Sequence, residues 1–116
     1  LSVAVHELFH VLGFGLSEAW REFVELGSFD GPASAAVFGG PVPLHSDQEH
    51  WADGTIFGSE LALLAPFLPA GERLLPTDLD WAGLQDGGWE LVPEPSTAAC
   101  VLAGLAILGA RRRPRP

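Results

Sequence analysis

The density of glycine and proline most constrains how this 116-residue chain can fold. It contains 14 glycines and 10 prolines, which interrupt helices and central strands. Turn signals recur through residues 27–92, so we expect short elements joined by loops there. Residues 1–13 and 17–26 carry longer helical patterns, and each stretch is predicted to be a helix. The turn signals are Asp30-Gly31-Pro32, Gly39-Gly40-Pro41, Asp53-Gly54 and Asp86-Gly87-Gly88.

The charge balance argues against nucleic acid as a partner. The chain has 15 acidic and 6 basic side chains and a formal net charge of −9. Before residue 111 the only arginines are Arg21 and Arg73, and there is no lysine. Such a body lacks the basic face that displaces counterions from nucleic acid. The single cysteine, Cys100, excludes an internal disulfide and a cysteine-rich zinc site within one chain.

The first motif with chemistry is His6-Glu7-Leu8-Phe9-His10. In a helix, His6 and His10 lie one turn apart on the same face, so their imidazoles can share one Zn²⁺. Glu7 would then lie beside the metal, where it can accept a proton from water and pass it to a leaving amine. The alternative is an ordinary helix with solvated His and Glu side chains. Apolar flanks and the glycines that follow favour the metal site.

Residues 6–15 resemble the active-site helix and glycine turn of the metzincin and related zincin metallopeptidases. The simple metzincin pattern places a third histidine three residues after the glycine, where this chain has Leu16. Leishmanolysin-like and related bacterial exported peptidases place it far downstream, and residues 38–54 are similar to that arrangement. The resemblance covers about residues 3–91 and implies that His50 is the third ligand.

Spacing alone leaves two candidates for this third ligand. Both His45 and His50 can reach the metal, because a loop does not fix the direction of its side chains. His45 precedes the acidic turn at residues 46–49, where a histidine is usually solvated. The resemblance favours His50, and His45 remains the rival.

Residues 61–66 resemble the turn that lies beneath the metal in metzincins. Leu64 stands where methionine is expected, and Ala65 replaces a residue that is often acidic in that group. Leucine keeps the apolar bulk of methionine. Further along, Thr77 is predicted to cap a helix over residues 78–86 that packs on the core. That helix and residues 88–90 resemble the closing helix and final strand of the group, and we assign them no chemistry.

The resemblance implies an α+β fold for residues 1–92, the C-terminal part of a zincin-like catalytic domain. In this half-domain the active-site helix is followed by a loop-rich part that is mostly α and coil. Zincin domains of this type have a twisted sheet ahead of that helix, whereas this chain begins at the helix and has no methionine. We therefore expect the chain to be truncated at its N-terminus, the alternative being a gene product that has lost half of this domain. Residues 1–92 by themselves bury too little surface to be robustly stable.

Residues 93–116 closely resemble a PEP-CTERM sorting signal, with a separate hydrophobic helix at 97–110 and a basic tail at 111–116. The uncharged apolar run, residues 98–110, is shorter than the roughly 20 residues that span a bilayer, and arginines at its end favour the cytoplasm. The resemblance implies recognition by an exosortase-type membrane enzyme in a Gram-negative bacterium. The alternative is a buried terminal helix with a solvated basic end. The signal residues are Pro93, Glu94, Pro95, Arg111, Arg112 and Arg113.

These features together predict an exported zinc endopeptidase that acts on polypeptides. Zn²⁺ would be held by His6, His10 and His50, and Glu7 would be the catalytic base. The chain would be anchored in the membrane through its C-terminal helix until processing leaves the body at the cell surface or in the extracellular matrix. Two alternatives stay open: a non-catalytic exported surface or matrix protein with a degenerate peptidase scaffold, and a structural metal site without an open coordination position.

Overall fold

A computed structural model describes residues 1–92 and 97–111. Within these ranges the chain is small and mixed α and β, with short strands. In chain order the elements are α1 (Ser2–Val11), α2 (Glu18–Arg21), β1 (Val24–Glu25), β2 (Ser28–Phe29), α3 (Pro32–Phe38), β3 (Val42–Pro43), β4 (Ile56–Phe57), β5 (Glu60–Leu61), α4 (Asp78–Asp86) and α5 (Thr97–Arg111).

The strands form two small antiparallel sheets. One has the order β1-β2-β3, and the other is the β4-β5 hairpin. The helix predicted over residues 17–26 ends at Arg21, so its second half was predicted wrongly. There β1 begins instead, and Val24 pairs with the buried Phe29 of β2. Leu26 and Gly27 connect the two strands with φ angles of 47° and 83°, which suit a tight hairpin turn.

An aromatic cluster forms the centre of the core. The rings of Trp20 and Phe29 stack with centroids 3.8 Å apart, and both rings also contact Trp51. Phe14, which follows the glycine exit of α1, packs against Trp20 and Trp51. All four side chains are buried. The core therefore joins the end of α1 to the segment that carries His50.

Helix α4 confirms the prediction for residues 78–86. The Thr77 side chain caps it, and the Asp80 carboxylate accepts a hydrogen bond from the Thr77 backbone N–H, which completes a capping box. At its other end the Asp86 carboxylate accepts from the N–H groups of Ala33 and Ser34 at the start of α3. We did not predict α3, and the predicted strand at residues 88–90 is absent there.

Helix α5 confirms that the apolar run is helical. It extends over 15 residues, and in the ranges that the structure covers no helix is both long and apolar enough to cross a membrane. The side chains of Val101, Leu102, Leu105 and Ile107 are exposed. Residues 93–96 and 112–116 lie outside the described residues, and they include the predicted signal residues Pro93, Glu94, Pro95, Arg112 and Arg113.

Candidate metal centre

Helix α1 places the first two histidines side by side. His6 and His10 are four residues apart, so both project from one face of the helix. Their Nε2 atoms are 3.1 Å apart. His6 is only 6% exposed, whereas His10 is half-buried. The helix therefore presents one buried and one accessible imidazole at the same point.

His50 joins this pair from a distant loop. Its Nε2 atom is 3.2 Å from that of His6 and 3.1 Å from that of His10. Tetrahedral Zn–N bonds of about 2.0–2.1 Å hold the ligand atoms about 3.3 Å from one another. The three histidines thus lie close enough to bind one metal ion.

Each imidazole uses its other nitrogen for a hydrogen bond to an acceptor. His6 Nδ1 donates to the Leu63 carbonyl at 2.8 Å, and His10 Nδ1 donates to the Phe14 carbonyl at 2.9 Å. His50 Nδ1 lies 2.9 Å from a carboxylate oxygen of Asp47. Because carbonyl and carboxylate oxygens only accept, each Nδ1 carries a proton, and in the neutral form of each ring Nε2 has a free lone pair. Three lone pairs that converge repel one another unless a cation lies between them.

The electrostatics favour a neutral, metal-ready imidazole at His6. Burial lowers the pKa of His6 below its ordinary value of 6.5, and the neighbouring His10 and His50 lower it further. The hydrogen bond to Leu63 and the charge of Glu7 oppose this shift without reversing it. A neutral imidazole is the form that binds metals.

Asp47 supports His50 as a charged partner. Burial raises the pKa of Asp47, but a hydrogen bond from the Glu49 N–H and those from the His45 and His50 rings outweigh it and lower the pKa to about 2. The carboxylate is therefore ionised at neutral pH. A carboxylate on the second nitrogen of a metal-binding histidine orients the ring and raises its basicity.

The rival His45 lies outside the histidine cluster. Its Nδ1 atom also contacts Asp47, at 2.9 Å, and its ring packs edge-on against Phe67. The cluster that could hold an ion consists of the other three histidines of the chain. The structure therefore separates the two candidates that spacing alone left equal.

Glu7 is exposed on α1, one residue after His6. It is close enough for its charge to raise the pKa of His6. An exposed carboxylate next to a metal ligand is what the predicted role requires.

The segment predicted to lie beneath the metal does contact the cluster, but through its backbone. The Leu63 carbonyl accepts from His6, while Leu64 and Ala65 are fully buried. Sequence reasoning missed this carbonyl, because any residue type can supply a backbone oxygen. It also missed Asp80, which is fully buried and hydrogen-bonded to the same segment. The capping-box spacing of Thr77 and Asp80 was the only available signal.

Gly15 brings the His50 loop against the end of α1. Its φ angle is +75°, and a Cβ atom added there would meet the backbone of Glu49. The residue after Glu49 is His50, so the close approach of these two backbones helps to place the third imidazole. Gly15 lies in the glycine turn that ends the resemblance to the active-site helix, and its contact with Glu49 is a role that the sequence did not indicate.

Comparison of this chain with protein-family models, with curated proteins and with solved structures found no match. The function is therefore inferred from the geometry of the histidine cluster and from the resemblance of the chain's motifs to those of known peptidases.

Proposed function

We propose that residues 1–92 carry the catalytic zinc centre of a metalloendopeptidase. The observation that carries the proposal is the convergence of three Nε2 atoms at 3.1–3.2 Å, each on a ring whose Nδ1 already has an acceptor. A set of three protein ligands with a fourth position open is typical of catalytic zinc. Structural zinc sites are usually closed by a fourth protein ligand.

Zinc fits the donors better than a harder cation does. Imidazole nitrogens suit zinc and neighbouring transition metals, whereas magnesium and calcium prefer oxygen ligands. A bound zinc ion supplies Lewis-acid catalysis, since it polarises a carbonyl and lowers the pKa of water to about 7. His10 and His50 are only half-buried, so a substrate can approach the cluster.

Glu7 supplies the proton transfers in this proposal. Its carboxylate accepts a proton from the attacking water and delivers it to the nitrogen of the departing amine. A side chain in this role has to meet both water and substrate, and Glu7 is exposed next to His6. The polypeptide substrate follows from the resemblance to zincin peptidases, and its sequence preference is left open.

The substitution Glu7→Gln tests the chemistry. The variant should bind zinc as the wild type does, because Glu7 is not one of the three clustered side chains. It should lose turnover of a mixed protein substrate by about 10²-fold or more, since an amide cannot accept the proton. His45→Ala is the matched control and should keep activity. A wild type that binds zinc yet cleaves nothing would favour the non-catalytic surface or matrix protein.

We further propose that residues 93–116 are a sorting signal that an exosortase-type enzyme processes. The support is the order of Pro93-Glu94-Pro95, an apolar helix and an arginine cluster, together with the exposed apolar side chains of α5. In this proposal the protein is exported and held at the membrane until it is processed. The full-length protein with a C-terminal tag should lose the tag in a host that has the sorting enzyme and keep it in a host that lacks the enzyme. Identical unprocessed protein in the two hosts would refute the proposal.

A further inference from the structure

Asp80 is a buried side chain near the histidine cluster that accepts several hydrogen bonds, although no hydrogen bond joins it to a histidine. Its Oδ2 atom accepts from the Leu63 N–H at 2.9 Å and from the N–H and hydroxyl of Thr77 at 2.7 and 2.8 Å. Its Oδ1 atom accepts from the Leu64 N–H at 3.1 Å and the Trp51 indole at 3.0 Å. Five donors on two oxygens use the full accepting capacity of a carboxylate.

One of these bonds acts on the peptide group that orients His6. The Leu64 N–H belongs to the same peptide group as the Leu63 carbonyl, and that carbonyl accepts from His6 Nδ1. A trans peptide is planar, and its N–H and C=O point in opposite directions. Because Asp80 holds the N–H on one side, the carbonyl is aimed at His6 on the other.

Hydrogen bonds of Trp51 connect Asp80 and its neighbours to the third histidine, His50. The Trp51 indole donates to Asp80, and the Trp51 backbone N–H donates to the Leu64 carbonyl at 3.0 Å. Trp51 directly follows His50. Asp80 thus fixes the segment at Leu63 and Leu64, and that segment together with Trp51 sets where His50 enters the cluster.

We propose that Asp80 is a positioning residue of the metal centre, acting through the Leu63–Leu64 peptide group on His6 and through Trp51 on His50. The inference rests on the proposed metal centre but does not need peptidase activity. Hydrogen bonds in a chain polarise one another, so the carboxylate also makes the Leu63 carbonyl a better acceptor and His6 a stronger ligand.

Asp80→Asn tests the inference with metal alone. The amide keeps the shape of the side chain but turns donor hydrogens toward backbone N–H groups that need an acceptor. Full-length protein is freed of metal and titrated with Zn²⁺ against a chromophoric chelator, and with Co²⁺ by visible absorption. We expect zinc affinity to fall by about 10- to 100-fold, as is usual for supports of metal ligands. We also expect the Co²⁺ absorption bands to change, because the geometry of the ligands changes.

Asp86→Asn is the matched control. Asp86 lies on the same helix and also accepts from two backbone N–H groups, but these belong to α3. Its loss should lower the unfolding midpoint without changing zinc affinity or the Co²⁺ bands. Equal affinities and bands in Asp80→Asn and wild type would overturn the inference, whereas a wild type that binds no metal would overturn the proposed function itself.

Trp51→Phe keeps the inference testable if Asp80→Asn does not fold. It removes one donor from Asp80 Oδ1 and keeps an aromatic ring in the core. Zinc affinity should fall measurably below that of Asp86→Asn. Unchanged affinity in a folded Trp51→Phe variant would overturn the inference as well.

Discussion

The substitution Gly15→Ala tests whether the close approach of Gly15 to Glu49 positions His50. Gly15 has a φ angle of +75°, which costs an alanine about 1–3 kcal/mol. Its new Cβ would lie 2.8 Å from Glu49 Cα and 2.9 Å from Glu49 C, and closer still to Glu49 O. Carbon atoms pack at about 3.5–4.0 Å, so the two backbones must separate by about 0.7 Å or more.

That displacement is large for a metal site. Ligand distances are expected within about 0.2 Å of their ordinary values, and His50 directly follows the residue that has to move. We therefore expect Gly15→Ala to lose about 1–3 kcal/mol of stability from backbone strain, plus a steric contribution, and at least about tenfold in zinc affinity. Urea unfolding of the metal-free protein measures the first quantity, and chelator competition measures the second.

Gly27→Ala is the control, because it introduces a similar backbone strain but no steric clash. Gly27 has a similar φ angle of +83°, but an added Cβ would meet no atom within 4 Å. The variant should lose about 1–3 kcal/mol of stability from the φ strain and bind zinc as the wild type does. If Gly15→Ala and Gly27→Ala bind zinc equally well, the close approach of Gly15 to Glu49 does not position His50.

Three further predictions follow from the histidine cluster and from α3. His50→Ala should abolish stoichiometric zinc uptake measured by elemental analysis, whereas His45→Ala should leave about one zinc per chain; the reverse result would make His45 the ligand. In the metal-free protein, burial lowers the pKa of His6 below the unfolded value of about 6.5. Between these two pKa values the unfolded chain binds more protons than the folded chain does. Urea unfolding should therefore show stability falling as pH drops below about 6.5, and His6→Gln should flatten this dependence; an unchanged slope would contradict it. Ser34 is fully buried, and its hydroxyl has no hydrogen-bond partner among the described residues, so Ser34→Ala should raise the unfolding free energy by about 0.5–2 kcal/mol, while a loss of stability would point to a hydroxyl partner.

The sequence by itself determined the features that depend on near neighbours. The pairing of His6 and His10 follows from four-residue spacing within one helix, and that helix was correctly predicted. Helix α4 was predicted to within a residue, because Thr77 supplies a cap and turn residues follow Asp86. The apolar run before the arginine cluster likewise predicted α5. In each case a local hydrogen bond or local periodicity is sufficient.

Tertiary structure decided everything that joins distant segments. Residues 17–26 carry a helical pattern, yet the chain turns after α2 because Val24 pairs with Phe29 and Phe29 is buried against Trp20. His50 and His45 are chemically the same, and the folded chain separates them, since His50 lies 40 positions beyond His10 and reaches it only after two helices and three short strands have folded. Asp80 and the Leu63 carbonyl act through hydrogen bonds across 16 to 57 residues. A one-dimensional pattern does not encode such contacts, because their energy depends on which surfaces the whole fold brings together.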